Sequence, residues 1–277
     1  MIVPLRLAAA ILALALFAPP GHAQSTQSLE LAGRLYVRSG LAAQMKFVPA
    51  QFEQGLEDYR GKLPGEVLAA LAESGKKAFA ADALRDEIVP VLAQKLPPAD
   101  MKKTLAWLGG PVGRRVTRAE ESAAGNTTQE NMRAYLESEK PTKPERAGSI
   151  ADLIEATNAV EVGASFIEAI SLGIAVGMDS TQPVEKRIGV SNLRSRLRTV
   201  MPPEKVRAAV GAMLPPMYRY IYRNTGDADL AAYVKFSRSP LGQRYNEAAT
   251  AALVAALAGA SVRVGEALPA AAETKQI

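Results

Sequence analysis

Phe236-Ser237-Arg238-Ser239-Pro240-Leu241-Gly242-Gln243-Arg244 reads as a helix end, a sharp turn and a helix start within nine residues. Ser239 suits an N-cap. Pro240 suits the first helical position, where its missing N–H costs no hydrogen bond, and Gly242 permits a close approach by the next backbone. Upstream, Trp107-Leu108-Gly109-Gly110-Pro111-Val112-Gly113-Arg114-Arg115 has the same layout at a constant offset of 129 (236 against 107, 240 against 111, 244 against 115), which predicts an internal duplication. The upstream copy keeps the aromatic, the proline and the glycine but loses the serine. The Ser239 hydroxyl is therefore read as a cap rather than a nucleophile. Phe236, Ser239, Pro240 and Gly242, with Trp107, Pro111 and Gly113, are read as structural turn residues, the aromatic plugging the angle between two helices. Asp229 and Asp100 fall in the first turn of the helix leading into each corner, where a negative charge is favourable.

Working outward, the chain is 48% hydrophobic but only 5% aromatic, and the excess falls on Ala and Leu, which favour helix over strand. The expected fold class is all-α: many helices in two diverged repeats, joined by a linker rich in Pro and charge. The first repeat is set at 24–137, the linker at 138–148, the second repeat at 149–265 and a disordered tail at 266–277. Within the first repeat, helices are expected over Ser28–Ser39, in pieces to Tyr59, from Pro64 to Gly75, from Lys76 to Lys95 with a kink at Pro90, and from Pro98 to Trp107. Ser149-Ile150-Ala151-Asp152 resembles a capping box and is expected to open a helix reaching Met178. Leu153–Asn158 aligns on Leu35–Gly40 at an offset of 118, so about 11 residues are inserted before the second corner, around Asp179–Arg187. Helices near Ile188–Val200, Pro203–Tyr222, Ala228–Phe236 and Pro240–Gly265 complete the expected set.

The corner also carries a resemblance. Aromatic-x-x-Ser-Pro-x-Gly, preceded by a short amphipathic helix in an Ala-rich chain, resembles the bacterial DUF2059 family. Phe236, Ser239, Pro240 and Gly242 match its motif directly, and Trp107, Pro111 and Gly113 match in part. The resemblance extends over Leu197–Leu257 and, less closely, Leu68–Ala123. It implies an exported, periplasmic helical protein of bacteria and brings no catalytic residues with it.

Residues 1–23 carry Arg6, an apolar run from Leu7 to Ala18, Pro19-Pro20 and Gly21-His22-Ala23, the layout of a signal peptide cut between Ala23 and Gln24. Twelve apolar residues fall short of the roughly 20 needed to span a bilayer. No Cys is present for a disulfide or a lipid anchor, so the processed chain is expected to be periplasmic or secreted, with no transmembrane segment. Cleavage would remove His22, the single histidine. Without His or Cys, the usual triads, cysteine nucleophiles and His/Cys zinc sites are excluded. No cofactor or metal is expected, and no enzyme activity.

What remains is a set of charge patterns. Gly109–Gly113 fits neither common phosphate-loop spacing, and Ser74-Gly75-Lys76-Lys77 matches S-x-x-K without its companion motifs, with Gly75 expected to interrupt the helix. Glu161 and Glu168 lie two turns apart on an otherwise apolar helix, about 10 Å along its axis, a spacing open to carboxylate-based hydrolysis of an envelope polymer. Lys186, Arg187, Arg194, Arg196, Arg198, Lys205 and Arg207 form a basic run opposed by Glu185 and Glu204. It is the candidate surface for an anionic partner such as a lipid headgroup, an acidic polymer or an acidic envelope protein. Nucleic acid is not expected, since no aromatics interleave with the charges. The resulting expectation is an exported helical binding or interaction protein of the cell envelope. The alternatives are the carboxylate hydrolase and a peripheral binder of an anionic membrane surface.

Overall fold

Ser25 accepts a hydrogen bond from the Ser28 N–H at 3.1 Å and so starts the first helix, α1 (Thr26–Arg38), whose inward face is Leu31, Ala32, Leu35 and Tyr36. The computed structural model describes residues 25–126, 129–138, 142–180 and 182–266. The fold is all-α. After α1 come α2 (Leu41–Met45), α3 (Val48–Leu56), α4 (Gly65–Ala78), α5 (Ala81–Lys95), α6 (Pro98–Gly109) and α7 (Pro111–Asn126). Then follow α8 (Gln129–Ser138), α9 (Pro144–Ala156), α10 (Ala159–Ser180), α11 (Gly189–Val200), α12 (Pro203–Ile221), α13 (Asp227–Arg238) and α14 (Pro240–Glu266). The signal-peptide expectation lies outside the described residues, as does the expected tail beyond Glu266, which ends α14.

The two corners have the same backbone geometry. The Gly110 N–H donates to the Trp107 carbonyl at 2.9 Å, and the Ser239 N–H donates to the Phe236 carbonyl at 3.0 Å. The Arg114 N–H reaches the Gly110 carbonyl at 3.0 Å, as the Gln243 N–H reaches that of Ser239 at 2.9 Å. A Cβ at Gly113 would run into the Trp107 carbonyl oxygen, and one at Gly242 into that of Phe236, so both corners require glycine for one steric reason. Ser239 caps α14 by accepting from the Gly242 N–H at 3.0 Å. A second correspondence holds at the offset of 118. Gly40 and Asn158, the residues following the C-caps of α1 and α9, both have positive φ (80° and 53°). Ser39 and Thr157, just before them, both return hydroxyl hydrogen bonds to their own helices. In packing, α1 lies on α5 and α6 as α9 lies on α12 and α13.

Several expected elements differ. Lys76–Lys95 is not one helix: α4 ends at Ala78 and α5 begins at Ala81, because Phe79 turns inward, fully buried, with its ring 5.1 Å from that of Phe52. Gly75 does not interrupt α4. It lies inside the helix because a side chain there would occupy the Phe52 ring, while Ser74 donates to the Val264 carbonyl at 2.8 Å. Ser149 is not an N-cap: α9 has already begun at Pro144, and its hydroxyl bonds back to the Glu145 carbonyl. The helix expected to reach Met178 is broken at Thr157-Asn158 by the left-handed Asn158. Of the expected linker, residues 139–141 lie outside the described residues, and 144–148 are the first turns of α9. Arg146 anchors them through the carbonyls of Tyr222 (2.6 Å) and Thr225 (3.1 Å) and an ion pair with Asp227.

The core interlocks the two halves. One buried cluster joins Leu31, Leu35, Phe52, Leu84, Ile88 and Met101 to Ile174, Ala256 and Val264. A second joins Val116 to Ile150, Leu153, Val210, Leu214 and Leu230. By length and composition, Ala159–Ser180 and Pro240–Val264 could cross a membrane. In the fold they form the central pair, α10 against α14, with Ala252, Ala256 and Ala260 fully buried to let the helices approach.

Candidate functional site

A groove of about 820 Å3 runs between α1 and the α6–α7 corner, with Arg85 of α5 on its edge. Its apolar lining is Leu29, Val37, Leu105 and Leu108; its charged lining is Arg34, Arg38, Arg85, Arg114 and Arg118, with Glu30 and Glu121. Helical spacing makes this arrangement: Arg34/Arg38 and Arg114/Arg118 are i,i+4 pairs, so each helix presents two guanidinium groups one above the other. Among the described residues, none of Arg34, Arg38 and Arg118 is within ion-pair distance of a carboxylate. Arg85 meets the neighbouring Asp86 at 3.3 Å, and Arg114 donates to the Gly109 carbonyl at the corner itself. Five guanidinium groups against two carboxylates leave a basic groove. Val37, 61% exposed, stands between Arg34 and Arg38 as an uncovered apolar contact.

The expected basic run is arranged differently. Arg207 forms a two-pronged pair with Glu161 (2.6 and 3.2 Å), while Arg198 and Arg194 approach Glu168 at 3.3 and 3.8 Å. Arg187 is turned to the Gln182 carbonyl. Arg196 and Lys205 remain exposed on the surface. Three arginines of the basic run thus meet both carboxylates, and Arg198 and Arg207 line with them one small cavity of about 40 Å3 between α10, α11 and α12. Glu161 and Glu168 are held by guanidinium groups rather than left as an acid and base pair.

The turn residues do more than plug their own corners. Trp107 and Phe236 stack on each other, ring centroids 3.9 Å apart and planes 10° apart, with Tyr233 5.7 Å from Trp107. Around this stack the charges are exchanged. Arg115 takes both oxygens of Asp229 at 2.6 Å, and Arg244, its equivalent 129 residues on, takes Asp100 at 2.8 Å. The guanidinium hydrogen bonds hold Asp100 and Asp229 below the usual carboxylate range. Beside the stack, Glu120 of α7 accepts from the Tyr222 hydroxyl at 2.5 Å and is also hydrogen-bonded by Tyr233. Burial pushes this carboxyl up to about 7, against the lowering effect of those two hydrogen bonds. Burial likewise pushes Tyr218 and Tyr245 up to about 12.

Sequence reading missed the groove because its arginines are scattered over residues 34 to 118, with no dense run to mark them. Six of its lining residues from Arg85 to Arg118, and Glu121, fall in a segment with known kin: residues 82–138 match the family described as an uncharacterized protein conserved in bacteria, DUF2059. That segment holds the Trp107 corner, so the family match falls on the copy whose motif is the more diverged, rather than on Phe236–Arg244. No curated protein and no solved structure matches the chain.

Proposed function

We propose that this chain is an exported, soluble helical binding protein of the bacterial envelope that holds an anionic ligand or partner in the groove between α1 and the DUF2059 corner. The observation that carries this reading is the set of guanidinium groups converging on an apolar floor, three of them with no carboxylate partner among the described residues. Arginine is the side chain best suited to bind phosphate or carboxylate oxygens in a forked geometry. The signal-like residues 1–23 support export, and the match to a family conserved in bacteria makes a bacterial envelope the place such export leads to. The reading of the chain as two diverged helical repeats is supported by the shared corner geometry and the exchanged Asp–Arg pairs. Hydrolysis by Glu161 and Glu168 gains no support from two carboxylates already engaged by arginines.

The test is binding of polyphosphate and of dodecyl phosphate to the full chain at low ionic strength. Wild type should bind at least one of them, with affinity falling steeply as salt rises. Arg34→Glu with Arg118→Glu should remove that binding, while Arg196→Glu with Lys205→Glu should leave most of it. Binding lost only with the second pair would overturn the proposal.

A further inference from the structure

Under the offsets that relate the two halves, the groove has a counterpart between α9 and the α13–α14 corner, and its chemistry there is inverted. Arg34 and Val37 correspond to Asp152 and Glu155, and Arg114 and Arg118 to Gln243 and Glu247. Arg238 fills the counterpart, pairing with Asp152 at 2.7 Å and Glu155 at 3.5 Å. The basic rim and the apolar contact have therefore been kept together on one half and lost together on the other. A rim that only had to attract a hydrated polyanion would have no use for exposed Val37 and half-buried Leu105 between its arginines.

We infer that the groove takes a monomeric anionic amphiphile: an aliphatic chain laid on the Leu29–Val37–Leu105–Leu108 floor with its phosphate or carboxylate head among the arginines. This rests on the binding reading above and names its ligand class. The volume of about 820 Å3 lies within the range of small-molecule pockets. The site is a concave channel between helices rather than a protruding apolar face, the shape for a single chain rather than a bilayer surface. Gly33 opens it: a Cβ built there meets nothing within 4 Å, so the channel floor at that turn of α1 is empty space.

That opening supplies a clean blocking variant. Gly33→Leu projects a side chain into the channel, and it replaces a helix-interior glycine with a better helix former, so folding should be kept or strengthened. The probes are octyl, decyl and dodecyl phosphate below micelle concentration, with polyphosphate, neutral dodecyl maltoside and phosphatidylglycerol vesicles as comparison arms. For wild type, affinity should rise about fourfold per buried methylene from octyl to dodecyl phosphate. Gly33→Leu should flatten that rise and weaken dodecyl phosphate at least tenfold at unchanged thermal stability. Arg34→Glu should weaken all three alkyl phosphates together. Equal affinity for the three, or for polyphosphate, would overturn the amphiphile while leaving an anion-binding groove. Binding to vesicles with none to the monomers would overturn it in favour of a membrane surface, and undiminished binding by Gly33→Leu would also overturn it. Failure of every anion to bind would remove the underlying binding reading as well.

Discussion

Trp107 and Phe236 occupy equivalent positions in two corners 129 residues apart, and their rings stack face to face at 3.9 Å. The pairs Arg115–Asp229 and Arg244–Asp100 likewise each join a helix that leaves one corner to the helix that leads into the other.

Loss of this stack should be costly. Phe236 is buried and Trp107 is packed on both Phe236 and Tyr233, so Trp107→Ala or Phe236→Ala should destabilise the fold by about 3 kcal/mol in chemical denaturation. The double variant should cost less than the sum of the singles, because both remove one contact.

The exchanged ion pairs contribute less than the stack, since their guanidinium groups are about half exposed (53% for Arg115, 49% for Arg244) and solvent screens them. Reversing one pair as Asp100→Arg with Arg244→Asp should recover most of the stability lost in either single variant. Both aspartates titrate below their usual 3.8. Their contribution is thus complete above about pH 3.8 and is lost as the pH falls through the depressed values. Acid titration of the melting temperature checks this, and Asp100→Asn should shrink the acid loss.

Glu120 works in the opposite sense. Its carboxyl is raised from 4.5 to about 7, so the folded chain holds this proton more tightly than the unfolded one. This term stabilises most below about pH 4.5, fades as pH rises to about 7, and stays lost above. A partly accessible side chain with this shift gives a change on the order of 2 kcal/mol. Glu120→Gln, which stays neutral and can still accept from Tyr222, should flatten the stability profile between pH 5 and 7. An unaltered profile would contradict the assignment to Glu120.

Much of the fold could be read from the sequence. The Ser-Pro-x-Gly corner encodes its own cap and close approach, and most helix ends fall where Pro, Gly or a capping Ser marks them. The exceptions have tertiary causes. Phe79 breaks a continuous periodic stretch because its ring belongs against Phe52, and Ser149 resembles a cap only while Pro144 is taken as linker. For the site, charge density along the chain led to the run from Lys186 to Arg207, three of whose arginines, Arg194, Arg198 and Arg207, are engaged by Glu161 and Glu168 from another helix. The groove gathers arginines from three helices, which no local window joins. Two signals were nevertheless present: the i,i+4 pairs Arg34/Arg38 and Arg114/Arg118, and their replacement by acidic or neutral residues at the equivalent positions of the other half.

Arginine footprinting addresses the central claim most directly. Phenylglyoxal modification of the full chain, read by mass spectrometry with and without dodecyl phosphate, reports which guanidinium groups a ligand covers. The account requires protection at Arg34, Arg38, Arg114 and Arg118, with no change at Arg196. Protection at Arg196 and Arg198 with the groove arginines unchanged would contradict it.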